Sequence, residues 1–257
     1  VVQTRVVEIA AVPTGPVPVP AIVERLAGGD SITPVWRNTL GGLTFRLSSG
    51  ASARFVKWMP TGTPRVDAEV ARLGWAGPFA RVPRVMDSGD DSTGSWMLTA
   101  ALPGDSAVDT RFVSNDAASR VAARAIGTGL RELHDRLPVQ ECLYSWSATS
   151  RVAQARAAGL DLPVALDAAP PVDRLVVCHG DACAPNTLIA DDGSFAGHVD
   201  LGSLGVADRW ADLAVATWSL EWNYDGGELL ESEMFDAYGV ARDETRIRYY
   251  RALWAAT

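Results

Sequence analysis

A chain of 257 residues, 47% of them hydrophobic and 21% charged, can build one large domain or two lobes sharing a cleft. Its net charge of -8 argues against a duplex nucleic-acid partner, whose phosphates demand a basic face, and suits a polycationic or polyol small molecule. Three cysteines without C-x-x-C spacing suggest neither a disulfide framework nor a zinc knuckle. No run approaches the roughly 20 apolar residues that cross a bilayer. The N-terminal "VVQTRVVEIAAVPTGPVPVP" is broken by Arg5, Glu8 and several prolines and does not read as a leader. A cytoplasmic protein is expected, with no membrane contact and no obligate protein partner.

In chain order, "VPTGPVPVPA" is proline-punctuated and extended, and "AIVERLAGG" is one short helix ended by Gly28 and Gly29. Strand-like "ITPVWRN", "LTFRLS" and "ARFVKWMP" follow, separated by Gly41-Gly42 and by "SSGAS". "RVDAEVARLGWAG" spaces Val66, Val70 and Leu73 as a helix does, and "WMLTAALPG" is a further strand. "SNDAASRVAARAIGTGLRELHDRL" then predicts a long amphipathic helix with Ser114, Asn115 or Asp116 as its cap. "SATSRVAQARAAG", "ADLAVATWSLEW", "GELLESEMFDAYG" and "DETRIRYYRALWAA" complete a helix-rich remainder. The expected class is α+β and bilobal, with a small antiparallel sheet over residues 1–102 and a mainly helical lobe over 103–257.

Between those helices lies "VVCHGDACAPNTLIADDGSFAGHVDLGSLGVADRWAD". "LVVCH" is an apolar run of strand length, so His179-Gly180-Asp181 sits where a strand spills into a loop. "TLIA" and "FAGHV" form a hairpin about the Asp191-Asp192-Gly193-Ser194 turn, which sets Asn186 against Asp200 and both near Asp181. Two oxygen ligands suit Mg²⁺, which takes the rest of its shell from water and phosphate. A third carboxylate close by can deprotonate a hydroxyl, and the combination is the machinery of phosphoryl transfer.

H-G-D-x-C-x-P-N, the hairpin, and V-D-L-G-x-L-G-x-A-D-R-x-A-D-L-A together resemble the aminoglycoside phosphotransferases. The likeness is strongest to their 3'-phosphotransferase (kanamycin kinase) branch and the 3''-type streptomycin enzymes. It implies a protein-kinase-like fold and transfer of the γ-phosphate of ATP or GTP to an aminoglycoside hydroxyl, giving antibiotic resistance. Asp181 is then the catalytic base, and Asn186 and Asp200 hold Mg²⁺. His179 holds the loop through a backbone hydrogen bond, Asp208 and Asp212 brace it through backbone amides, and Cys178 and Cys183 are small buried residues.

A phosphoryl donor needs a cation on its phosphates and an anion to fix that cation. Lys57, the only lysine in the chain, stands on a strand, and Glu69 on the following helix is its partner, matching the family's lysine–glutamate pair. By the same resemblance Gly41 and Gly42 occupy the nucleotide-covering loop, with backbone amides toward phosphate, and the backbones of Thr99 and Ala101 form the purine-binding hinge. Acids should line an aminoglycoside site. Glu221 and Asp225 are the preferred candidates, ahead of Glu228, Glu231 and Glu233. Ser203 stands where the family usually has arginine, and Trp254, Ala255 and Thr257 stand where it tends to carry acids and an aromatic. A kinase of the same fold for a macrolide, choline or a sugar, and a degenerate kinase-like binding protein, remain the alternatives.

Overall fold

The computed structural model describes residues 10–50 and 52–257, so the first nine residues of the N-terminal stretch considered above, Arg5 and Glu8 among them, lie outside the described residues. The chain separates into two compact units. One holds the described residues up to Trp75 together with Pro83–Ala101, and the other holds Ala76–Val82 with Leu102–Thr257.

In the first unit, helix α1 (Ala21–Ala27) ends at Gly28 in the left-handed region, and strands β1 (Ser31–Arg37), β2 (Leu43–Ser49) and β3 (Ser52–Pro60) follow. Helix α2 (Asp67–Ala76) precedes β4 (Val85–Asp91) and β5 (Gly94–Ala100), and the antiparallel sheet runs β1-β2-β3-β5-β4. Alternation along the strands divides the sheet into two faces. Phe45, Leu47, Val56 and Leu98 pack under Ile22 and Val23 of α1. The opposite face carries the cross-strand row Thr44, Lys57 and Met97. Sequence reading did not give β4, because "VMDSGDD" is a polar edge strand with no apolar alternation to mark it.

The second unit begins with β6 (Asp105–Ser106) and α3 (Thr110–Val113), then α4 (Asp116–Arg136), capped by the Asn115 side chain on Ala118 N. Helix α5 (Ala148–Ala157) leads to β7 (Leu175–Cys178), the hairpin β8 (Thr187–Ile189) and β9 (Phe195–His198), and β10 (Gly205–Asp208). Helices α6 (Trp210–Asn223), α7 (Glu231–Tyr238) and α8 (Glu244–Ala256) close the chain. The stretch read as one helix from Gly227 is a 3₁₀ turn over Gly227–Leu230 followed by α7. β7 pairs antiparallel with β10, and β8 lies between β6 and β9. Apolar faces of α4, α6, α7 and α8 meet in one core that includes Ile126, Leu130, Trp210, Leu213, Met234 and Tyr238. Glycine inside a helix costs about 1 kcal/mol relative to alanine. At Gly127 that cost permits contact: a Cβ there would lie 2.2 Å from the Met234 carbonyl of α7. Among the described residues no helix is long and apolar enough to cross a membrane.

Candidate active site

The second unit contains the acid-rich motif. β7 ends at fully buried Cys178, His179 after it is equally buried, and the chain turns at Gly180, with φ +86°. Only glycine suits this position twice over, because a Cβ would also stand 2.2 Å from the Ser203 carbonyl oxygen. Asp212, buried in the first turn of α6, accepts from His179 N at 2.6 Å and Gly180 N at 2.9 Å. Its Oδ2 also meets His134 Nε2 of α4 at 3.0 Å. Burial alone would push the Asp212 carboxyl up, but the His134 hydrogen bond and the loop's own donors hold it below the usual carboxylate value. The bracing expected of Asp212 is therefore present. Asp208 departs from it: its carboxylate accepts from Asp173 N and from Trp210 N at the start of α6, leaving the loop amides to Asp212.

His179 ties the two halves of the motif together. Its Nδ1 accepts from Asp181 N at 3.3 Å, so Nε2 carries the proton and donates to the Val199 carbonyl at 2.9 Å, one residue before Asp200. The hairpin closes on itself through Val199 N to Asn186 O at 3.0 Å, which sets Asn186 next to the Asp200 end of the strand. Asp200 itself is the one non-glycine residue with positive φ, +62°, among the described residues. A left-handed aspartate in the connection just past β9 is an uncommon backbone state, a mark that functional positions often carry.

Both oxygens of Asp181 receive donors. Cys183 Sγ lies 3.1 Å from Oδ1 and Asn186 Nδ2 lies 3.1 Å from Oδ2, with the same amide 2.9 Å from the Asp181 carbonyl. Burial, then the charge of Asp181, and more weakly that of Asp200, push the Cys183 thiol up, so it stays a donor and sits in the field of both carboxylates. The residue read as a small buried filler is thus a hydrogen-bond partner of the proposed base. Ser219 of α6 accepts from Ala184 N at 2.8 Å and is itself fixed by Asn223, which anchors the loop's far side. Because Asn186 spends its Nδ2 on Asp181, its Oδ1 is the atom left for a cation. A hard oxygen pair, Asn186 Oδ1 with the Asp200 carboxylate, fits Mg²⁺. Asp191 and Asp192 serve the turn, the first paired with Arg111 and the second accepting from Ser194.

A second cluster, His134, Cys178 and Asp212, also places potential ligand atoms within 4.8 Å of one another. Its chemistry belongs to the fold: His134 and Asp212 bond each other and the Cys178 thiol, pushed up by burial, donates to the Asp208 carbonyl.

In the first unit, Lys57 Nζ meets Glu69 Oε2 at 2.7 Å, with Glu69 only 5% exposed. The pairing read from sequence is present, and Thr44 stands directly across from Lys57 on β2. Gly41 and Gly42 depart from expectation. Gly41 N donates to Asn38 O and Gly42 N to Asn38 Oδ1, so the turn consumes the amides that were to face phosphate. Thr99 pairs with both Phe55 and Val85 inside the sheet, and the Ala101 amide donates to Ala53 O at 3.3 Å, so it too is engaged within its own unit.

The acids chosen for an aminoglycoside separate into two groups. Glu221, read as a substrate carboxylate, forms an ion pair with Arg251 at 2.7 Å, so its charge is already shared within the fold. Glu231 is buried between Arg242 and Arg251, and Glu233 bridges Arg120 and Arg124. Asp225 and Glu228 are exposed and take part in no ion pair among the described residues.

Residues 38–250 match the family described as "Phosphotransferase enzyme family". An aminoglycoside 3'-phosphotransferase of Streptomyces fradiae is 34% identical over 219 residues, covering 73% of this chain and 78% of its own. A streptomycin 3''-kinase of Streptomyces griseus is 31% identical over 257 residues, covering 87% and 90%. Among solved structures, a 3''-type aminoglycoside phosphotransferase of Streptomyces rimosus in complex with ADP and streptomycin superposes with a TM-score of 0.68 at 28% identity, over 90% of this chain and 94% of that one. The sheet-and-helix architecture, the Asp181 motif and the extent of these matches lead to one conclusion: the chain belongs to the aminoglycoside phosphotransferases of the phosphotransferase enzyme family.

Proposed function

We propose that the protein transfers the γ-phosphoryl group of ATP or GTP to a hydroxyl of an aminoglycoside, the 3'-hydroxyl first among them. The observation that carries this reading is the doubly held Asp181 carboxylate, with Cys183 on one oxygen and Asn186 on the other, on a loop tied by His179 to the residue before Asp200. Asp181 accepts the proton of the acceptor hydroxyl as its oxygen attacks phosphorus, and the nucleoside diphosphate leaves. Asn186 and Asp200 would hold Mg²⁺, which neutralises charge on the phosphates. Lys57, oriented by Glu69, would hold the nucleotide phosphates in the first unit. Phosphorylation blocks the drug's hydroxyl and so implies resistance, in the cytoplasm where the nucleotide is.

The similarity to the Streptomyces fradiae 3'-phosphotransferase favours the 3'-position. A phosphate-transfer assay with Mg-ATP and Mg-GTP against kanamycin, neomycin and streptomycin tests the assignment. Phosphorylated kanamycin or neomycin is the expected product. Nucleotide consumption without a phosphorylated aminoglycoside would contradict it.

A further inference from the structure

Nine tryptophans is a large number for this chain, and three of them gather at one place in the second unit. Trp218 and Trp222, one helical turn apart on α6, have ring centroids 4.9 Å apart. Trp254 of α8 closes the group at 5.7 Å from Trp222 and 6.2 Å from Trp218. A cluster that merely cements two helices hides its rings, but Trp222 remains 51% exposed. The same rings already receive a cation: the Arg251 guanidinium lies over Trp218 at 5.7 Å, steadied by Glu221 and Glu231.

Position and charge narrow the occupant. Ser219, which holds the catalytic loop at Ala184 N, is the neighbour of Trp218 and lies three residues before Trp222, so the indoles flank the strip of α6 that carries the loop. Immediately after α6 come Asp225 and Glu228, exposed acids with no ion pair among the described residues. An exposed aromatic face followed three and six residues along the chain by exposed carboxylates suits a ring bearing ammonium or guanidinium groups, whose apolar face stacks on indole and whose cations are drawn to the π face and the acids.

We propose that Trp218, Trp222 and Trp254, with Asp225 and Glu228, form a platform for the cationic sugar or cyclitol ring of the acceptor. The inference rests on the aminoglycoside reading above and names the surface that would select such a substrate. It assigns to stacking part of the recognition that Glu221, balanced by Arg251, does not supply.

The test compares wild type with Trp222→Ala, Trp222→Phe and the Asp225→Asn/Glu228→Gln pair, using kanamycin and streptomycin in the presence of Mg-nucleotide. Acceptor binding is followed by tryptophan fluorescence and calorimetry, and phosphate transfer is followed in parallel. Trp222→Ala should raise the acceptor Kd and KM roughly 2- to 30-fold, the range of one cation–π contact. Trp222→Phe should recover part of that loss, and the nucleotide KM should not follow the acceptor's. Equal acceptor Kd and KM in wild type and Trp222→Ala, with transfer intact, would overturn the platform alone. Trp222-dependent binding without transfer would overturn the proposed reaction alone, and no binding by wild type would remove both. Self-association that Trp222→Ala abolishes, seen by sedimentation, would assign the surface to a second copy and also overturn the proposal.

Discussion

The loop that carries Asp181 is held by side chains from several separate stretches of the second unit, whereas Lys57 in the first unit is held by a sheet and one ion pair. Around Asp181, His134, Asp212, Ser219, Asn223 and Asn186 all bond the loop or each other. At Lys57 the backbone is fixed by β2 and β5, and the Glu69 carboxylate orients the ammonium. The difference follows from the tasks proposed for the two residues. A proton acceptor must sit within a few tenths of an ångström of its hydroxyl, and that needs a braced carboxylate. A flexible ammonium finds a phosphate as a point charge, so a sheet position and one counter-ion suffice.

The largest expected effect lies in the braced region. Asp212→Ala strands two buried amides and His134 and should cost about 3–5 kcal/mol of unfolding free energy, measured by urea titration. The Asp212 pKa is lowered on folding, so its contribution should be complete above the ordinary value of 3.8 and decline as pH falls below it. The difference between wild type and variant should therefore be constant near neutrality and shrink in acid. Gly180→Ala comes next, at about 2–4 kcal/mol, from the left-handed backbone and the meeting with Ser203 O. In the first unit Glu69→Gln should cost about 2 kcal/mol and raise the nucleotide KM while leaving the acceptor KM in place. An equal rise in both would show that the two regions do not divide the labour as described. The smallest effect belongs to Cys183. Cys183→Ala removes one donor from Asp181, worth about 1 kcal/mol and so several-fold in kcat, and Cys183→Ser should restore most of it.

The catalytic region was legible because its constraints are local: an apolar strand, a glycine turn and a hairpin fix Asp181, Asn186 and Asp200 within twenty residues of one another. Strand and helix periodicity placed Lys57 and Glu69 on their elements, and the family resemblance paired them. What escaped depends on partners distant in sequence or on backbone geometry. Asp208 and Asp212 are equivalent on paper, and only the β10–α6 corner decides that the first accepts from Asp173 N and Trp210 N while the second reaches the loop. Glu221 reads as a free acid until α8 brings Arg251 to it from thirty residues away. The amides of Gly41 and Gly42 are taken by Asn38, and nothing in "NTLGGL" marks the side chain of that asparagine as their acceptor. The tryptophan platform is invisible in sequence for the same reason, since its third ring comes from another helix.

The central claim is that Asp181 accepts the acceptor's proton, and Asp181→Asn tests it most directly. The variant is nearly isosteric, keeps an oxygen for the Cys183 thiol, gives up the acceptor for Asn186 Nδ2 and removes the basicity. Phosphate transfer and Mg-nucleotide affinity should be measured on the same preparation. The expected result is a fall in turnover of roughly 10²-fold or more, the scale of general-base catalysis, with nucleotide affinity retained. Turnover equal to wild type would contradict the account.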